Sequence, residues 1–521
     1  MKDDDPRACR TFLLLLVPFV GLFFDLGVSP HHTPPYIADQ KTALFSGVYR
    51  LELMKITTTC KTLIADLTSP VAVYLRLRDR FGRALLLEGS DYRGADDCRS
   101  FICCEPLAEL VVSQGEATVT VLGERQAPRA VAPVTGFTDE VKAFLASFSV
   151  DSGTLPKGVV NGAFGYASWE AVPYMERISL TKPRDEQVAI PEVRFAVYRY
   201  VLAFNHFRNE VHILENSLDG ASSGASREEF VRAAFDGQVQ TFPFVASGPE
   251  LPGVTDEEFL DLVRACKRHI ARGDVFQIVP SRRYSQCFEG DDFQVYRALR
   301  SINPSPYLFY GDFGGYRLFG SSPEAQIVVR GRTAGIYPIA GTTKRTGDDS
   351  HDRERVEQLL EDPKENAEHC MLVDLARNDL SRHCRGVSVT KFREVHYFSH
   401  VIHLVSEVEG TLPRDGMAPQ VMSDTFPAGT LSGAPKHRAM QLLDELEPIR
   451  RGHYGGCIGF FGFNGDAVFG IMIRSFLSIA GKLVYQAGMG VVSDSSPEKE
   501  LNEAHDKLGA LRAAIKRAQE M

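Results

Sequence analysis

The sequence predicts an α+β protein built from large antiparallel β-sheets flanked by helices, and three observations carry that prediction. Through residues 54–205, short runs rich in β-branched and aromatic residues alternate with Gly-, Asp- and Pro-rich turns, the pattern of an antiparallel sheet. Farther along, strand patterns come in turn-linked groups rather than in strict alternation with helices, which argues against a doubly wound parallel sheet. Three stretches, 351–378, 435–446 and 497–518, repeat apolar residues at helical spacing.

At 521 residues the chain exceeds what one hydrophobic core usually fills, so two domains or one unusually large one are expected. Its 44% hydrophobic and 24% charged residues exclude a disordered, collagenous or coiled-coil class. Lys and Arg number 58 against 67 Asp and Glu, with no basic run to follow a phosphate backbone, so nucleic acid is not an expected partner. Ten cysteines without a CxxC pair give neither a disulfide framework nor a zinc site and fit a reducing cytoplasm. Cys266 and Cys370 fall in apolar helical patterns and read as small buried hydrophobes.

The chain opens on an apolar run over 12–24, broken by Pro18 and Gly21 and preceded by Asp3, Asp4 and Asp5 as well as Lys2, Arg7 and Arg10. A spanning helix needs about 20 residues and a secretory signal needs a net positive start, so neither fits. Residues 1–53 read as an upstream extension or a wrongly chosen start, with a membrane tether as the rival. From Met54 the β-type runs begin, 71–75 and 117–121 among them. Between Asn216 and Gly253 the periodicity fades, and 219–224, Gly248-Pro249 and Pro252-Gly253 mark a linker. Thr255 with Glu258 then forms a capping box that opens a helix with Phe259, Val263, Cys266 and Ile270 on one face. Strands are expected at 275–279, 307–310, 467–473 and 483–487. The chain thus divides into the 1–53 extension, a 54–253 domain with linker, and a 254–521 domain.

Two helical patterns each carry glutamates three residues apart, Glu365 with Glu368 and Glu500 with Glu503, a spacing that shares one helix face. Glu500, Glu503 and Lys507 run beside an apolar stripe of Leu501, Ala504, Leu508, Leu511 and Ile515. Such pairs usually mark only a solvated face. If the two helices meet, however, four carboxylates stay ionised together only with a cation among them, and hard oxygen ligands with room for water suit Mg²⁺. Glycine and hydroxyl clusters at 320–324, 338–342, 429–436 and 486–490 allow close backbone approach to a ligand. Arg474 and Lys507 are the candidate cations for an anionic substrate. Arg474 ends an apolar strand, where it needs either an internal partner or a ligand.

In chain order, G-S-S-P-E, P-I-A-G-T, E-N-A-E-H, L-V-D-L-A-R-N-D-L, G-T-L-S-G-A-P-K, Y-G-G-C-I-G, I-R-S, Q-A-G-M-G and E-x-x-E-x-x-x-K resemble the chorismate-utilising enzymes, most of all the component I subunits of anthranilate synthases. The resemblance runs from about residue 54 to about 519. It implies that Glu368 and Glu503 hold Mg²⁺ with Glu365 and Glu500 completing the cage, and that Gly341, Thr342, Tyr454, Arg474, Gly488, Met489, Gly490 and Lys507 hold chorismate. It also implies proton-transfer roles for His403 and Glu324, with Thr430 nearby. Ammonia would add at C2 of the ring as the C4 hydroxyl leaves, and pyruvate would then be eliminated to give anthranilate, the first committed step of tryptophan biosynthesis.

Relatives that make aminodeoxychorismate carry a lysine where Ala340 stands, and alanine cannot be a nucleophile. Isochorismate-forming relatives need a lysine base, for which no equivalent is identified here, and that reading stays as the minor alternative. Gly455, Cys457 and Gly459 imitate a glutaminase nucleophile elbow but lack its His-x-Glu partner. Ammonia is therefore expected from glutamine through a separate glutamine amidotransferase subunit, in a heterotetramer. The family's L-tryptophan feedback site corresponds to Glu88, Gly89, Ser90, Pro306, Tyr307 and Leu308, with Gly89 and Leu308 replacing a motif serine and methionine. That makes 54–253 the regulatory domain and 254–521 the catalytic, chorismate-binding one.

Overall fold

Two long strands set the architecture. Arg99–Ser113 and Val193–Asn205 pair antiparallel along nearly their whole length, from Arg99 opposite Asn205 to Val112 opposite Val193. From this pair two arms of sheet diverge. One passes from Val193–Asn205 through Gly162–Ala167, Cys457–Gly462, Ala467–Ile471, Ala325–Arg330 and Thr333–Ile336 to Val401–Thr411. The last strand is flanked by Ile339–Lys344 on one side and Arg385–Tyr397 on the other. The second arm passes from Arg99–Ser113 through Leu85–Gly89, Tyr307–Asp312, Tyr316–Ser322, Ser475–Ile479, Lys482–Gly488 and Ser281–Gly290 to Phe244–Pro252. Among the described residues, the single parallel pairing joins Met54–Ile64 to Phe148–Asp151.

The computed structural model describes residues 53–89, 98–218, 226–397 and 401–521. The expectation for residues 1–53, but for its last residue, and the loop signal at 219–224 lie outside the described residues. The described residues all fall in one compact unit.

Side chains of both arms share one apolar cluster that includes Phe101, Phe164, Phe309, Phe460 and Leu477. Helices cover the outer faces. Asp256–Ala271, Pro363–Ser381 and Ala418–Thr425 contribute to a second cluster. Pro70–Leu77, Arg227–Asp236, Phe293–Ile302 and Pro497–Ala518 contribute to a third. The expected class, antiparallel sheets flanked by helices, is the class observed. No helix of the described residues is long and apolar enough to cross a membrane.

Local expectations meet mixed outcomes. The Thr255 capping box forms: Thr255 Oγ1 accepts the Glu258 N–H at 3.2 Å, and Glu258 Oε2 accepts the Thr255 N–H at 2.7 Å. Residues 71–75, expected as strand, belong to the Pro70–Leu77 helix. The Ser69 hydroxyl caps the Ala72 N–H and Pro70 opens the first turn, so end signals override β-branched content. The 351–378 pattern is two helices, Asp349–Glu361 and Pro363–Ser381, because Asp362 precedes a proline and is extended at ψ 114. The stretch read as linker holds a helix, Arg227–Asp236, with its own capping box of Ser226 and Glu229, and the strand Phe244–Pro252. The 275–279 strand shrinks to Gln277–Ile278, paired with Gly433–Ala434. Cys266 is buried as expected, but Cys370 is exposed.

Leu508 has no exposed surface and anchors the Pro497–Ala518 helix. Leu508→Ala is expected to cost about 2–5 kcal/mol of stability, read as a lower guanidinium midpoint.

Candidate active site

Four elements converge on one glycine turn. Lys507 Nζ, on the Pro497–Ala518 helix, donates to the Gly488 carbonyl at 2.9 Å and pairs with Glu503 Oε1 at 2.8 Å. A Cβ added to Gly488 would stand 2.8 Å from the Tyr454 hydroxyl. A Cβ on Gly490 would stand 2.8 Å from Gln277 Nε2 and 3.6 Å from Glu368 Oε1. Only glycine leaves these groups their places. Met489, between the two, is wholly buried in the core, and its N–H is spent on the Pro280 carbonyl at 3.0 Å. Its side chain thus anchors the turn in the core.

Glu365 and Glu500 lie in the first turns of their helices, where the helix dipole favours carboxylates, and Glu368 and Glu503 follow one turn later. Glu368 Oε1 accepts from Gln277 Nε2 at 3.1 Å. Glu500 is 5% exposed while the Glu503 side chain is 48% exposed, so i, i+3 spacing does not give them equal burial. Glu365 is partly buried, and its N–H bonds Asp362 Oδ1 at 3.1 Å. Among the described residues, no three His, Cys, Asp or Glu side chains form a ready-made metal centre. The donor chemistry still suits Mg²⁺, which takes one or two carboxylates and keeps several waters.

Glu324 and His403 are shifted in opposite directions by one cause. Glu324 Oε1 accepts from Thr430 Oγ1 at 2.8 Å. Its side chain is partly reached by solvent but crowded by protein, and burial pushes its pKa up to about 7 against the pull of that hydrogen bond and of the Arg474 and Lys507 charges. His403 sits in the middle strand of three, opposite Thr342 on one side and His396 on the other. Burial, with the Arg474 charge, lowers its pKa to about 4 despite a hydrogen bond to the Gly341 backbone. Gly341 has φ +74, and a Cβ there would stand 3.1 Å from Leu359 Cδ1. Arg474 Nη1 donates to Asn303 Oδ1 at 3.2 Å, so its hydrogen-bond partner here is an amide oxygen rather than a carboxylate. Its backbone is held at the unusual φ of +47, with its carbonyl accepting the Ser321 N–H.

Residues 85–513 match the chorismate binding enzyme family. The chain belongs to that family. Anthranilate synthase component 1 of Thermus thermophilus is 36% identical over 464 residues, 88% of this chain and 98% of that protein. The Arthrobacter globiformis protein of the same name is 36% identical over 478 residues, 87% and 88% of the two chains. Among solved structures, anthranilate synthase component I from Streptococcus pneumoniae TIGR4 superposes with TM-score 0.66 at 31% identity, covering 86% of this chain and 99% of that one. MenF, the menaquinone-specific isochorismate synthase from Escherichia coli, shares the fold with TM-score 0.67 at 17% identity, covering 88% and 94%. The protein is a chorismate-utilising enzyme.

Within the family fold, Glu88, Gly89, Pro306, Tyr307 and Leu308 border a single cavity of about 430 Å³; Ser90 lies outside the described residues. The Glu88 carboxylate is already committed: Arg300 grips it at 2.8 and 2.9 Å and the Tyr296 hydroxyl at 2.5 Å. A Cβ on Gly89 would stand 2.6 Å from the Arg99 carbonyl, so the motif serine has no room at this strand end. Cys457 lies in the Cys457–Gly462 strand with no exposed surface, and burial pushes its thiol pKa up. It has none of the features of a nucleophile. Sequence reasoning missed Gln277 and the link from Asn303 to Arg474. The signal for Gln277 was a polar residue inside the apolar run 275–279.

Because the folded value for Glu324, about 7, lies above the ordinary 4.5, its contribution to stability is full below pH 4.5 and is lost as pH rises through 7. The melting temperature of the parent should fall more between pH 5 and pH 8 than that of Glu324→Gln. Equal falls would assign the titration to another group.

Proposed function

We propose that this chain is the large aminating subunit of an anthranilate synthase, an Mg²⁺-dependent lyase that converts chorismate and ammonia to anthranilate and pyruvate in the cytoplasm. The observation that carries the choice of product is Ala340, in register with Leu404 beside His403. A methyl group at that position offers no amine to attack the ring, which leaves free ammonia as the nucleophile. The 36% identity to proteins bearing the anthranilate synthase name supports the same choice.

Burial divides the proton work. Near neutral pH Glu324, with a pKa of about 7, retains a proton that it can give to the departing C4 hydroxyl, and Thr430 fixes the carboxyl oxygen that receives its hydrogen bond. His403, with a pKa lowered to about 4, stays neutral, a weaker base than a free imidazole, and its ring can give or take a hydrogen bond without carrying charge. Arg474 and Lys507 supply the positive charge that draws in a dianionic substrate, with Gly341, Thr342, Tyr454, Gly488 and Gly490 around it. Glu368 and Glu503, with Glu365 and Glu500 behind them, would hold Mg²⁺, which supplies Lewis-acid polarisation at the ring carboxylate when bound.

The buried state of Cys457 favours a separate glutamine amidotransferase subunit as ammonia source, in a heterotetramer. The 430 Å³ cavity has apolar walls such as Leu87, Phe309 and Ile458 beside charged Lys157, Arg330 and Asp466. That mixture suits an aromatic amino acid, and L-tryptophan is the proposed feedback inhibitor.

Two outcomes are expected. The purified chain with chorismate, Mg²⁺ and excess ammonium near pH 7 should generate blue anthranilate fluorescence, and glutamine should not replace ammonium; glutamine-dependent turnover by the chain alone would refute the separate subunit. Leu87→Trp should fill the cavity and weaken inhibition by tryptophan, measured in the same assay. Undiminished inhibition would move the regulatory site elsewhere.

A further inference from the structure

We infer that Gln277 is a positioning residue that sets the orientation of the Glu368 carboxylate, an inference that rests on reading Glu368 as a ligand of Mg²⁺. Its amide is 3% exposed, and Nε2 donates to Glu368 Oε1 at 3.1 Å. Three constraints fix that amide. Gln277 and Ile278 pair with Ala434 and Gly433 in a two-residue bridge, and a Cβ on Gly433 would stand 2.2 Å from the Gln277 carbonyl. The backbone at 277 is therefore pinned against the G-T-L-S-G-A-P-K loop. On the other side, any side chain at residue 490 would press on Nε2 at 2.8 Å. Between these walls the donor has one direction, toward Glu368.

The acceptor end of the same amide carries the second part of the case. Gln277 Oε1 is buried with no hydrogen-bond partner among the described residues, a state that costs stability in a folded protein. A glutamine kept only for packing would be better replaced by methionine or leucine. A glutamine kept to aim a carboxylate must retain its N–H₂ group, and its free oxygen suits a donor brought in by a hydrated cation. Loss of such support typically weakens metal binding about 10–100-fold.

The test uses the full chain and Mg²⁺ alone, titrated by calorimetry, together with the Mg²⁺ concentration for half-maximal anthranilate formation. Gln277→Met keeps the length of the side chain and removes the donor. It should weaken Mg²⁺ binding about 10–100-fold at a melting temperature no lower than the parent's, and raise the half-maximal Mg²⁺ concentration more than it lowers kcat at saturating Mg²⁺. In a Glu368→Gln background the same change should add nothing, since both residues act through one carboxylate. If Gln277→Met folds poorly, Gly490→Ala, which displaces the amide from its other side, must reproduce the weakened affinity. Full Mg²⁺ affinity in the folded variant overturns the role of Gln277 and leaves the proposed function standing. Full affinity in Glu368→Gln overturns the metal reading itself.

Discussion

The missing side chains at Gly488 and Gly490 are the constraint on which the candidate site depends. Because the turn is bare, the Lys507 ammonium reaches a backbone carbonyl, the Tyr454 hydroxyl lies against the chain, and the Gln277 amide fits between Gly490 and Glu368. The turn is in turn held by Met489, whose side chain is locked in the core. The Lys507–Glu503 pair is nearly half exposed on both sides, so as a surface ion pair it is worth less than about 1 kcal/mol. Its importance is geometric: the buried stripe of Leu508 and Leu511 fixes the helix, and the helix then delivers Lys507 to Gly488.

One physical term, burial, prepares both titrating groups. Removing water disfavours charge whatever its sign, so it raises the Glu324 carboxyl and lowers the His403 imidazole. Arg474 lowers both, opposing burial at the carboxyl and reinforcing it at the imidazole. Burial outweighs it at Glu324, which leaves a carboxyl still partly protonated near neutrality and a histidine that is neutral there. Arg474 itself pays for burial with a lowered pKa and is held by an amide oxygen. It therefore retains a charge that an incoming carboxylate can answer.

Much of this was legible in the sequence, and the failures have physical causes. Capping boxes and apolar periodicity are local, so the Asp256–Ala271 and Pro497–Ala518 helices could be read directly. At 71–75 the side chains favoured strand while Ser69 and Pro70 favoured helix, and burial of Val73, Tyr74 and Leu77 on one face agrees with the end signals. The division at 253 follows local composition, whereas the sheets interleave the two sides: Cys457–Gly462 pairs with Gly162–Ala167, and Tyr307–Asp312 with Leu85–Gly89. Register across such separations leaves no periodic trace. The glutamate pairs were visible as spacing, but their unequal burial depends on which neighbour each helix meets. Gln277 escaped because its partner lies 91 residues away.

The same interleaving gives the cavity near Glu88 a short route to the chemistry. Lys391 and Glu407, which border it, form an ion pair at 3.2 Å across the two strands that carry His396 and His403. Glu407 is four residues from His403 on one strand, about 13 Å at the usual rise. Tyr337, also on the cavity wall, directly precedes the P-I-A-G-T loop that faces His403. The cavity thus borders the far end of the strand pair that carries His396 and His403, and the ladder between the two places is interrupted by bulges between Ala340 and Thr342 and on either side of Lys391. Gly89 and Arg99 both line the cavity, and the 2.6 Å from an added Gly89 Cβ to the Arg99 carbonyl leaves no room for a side chain at that point of its wall.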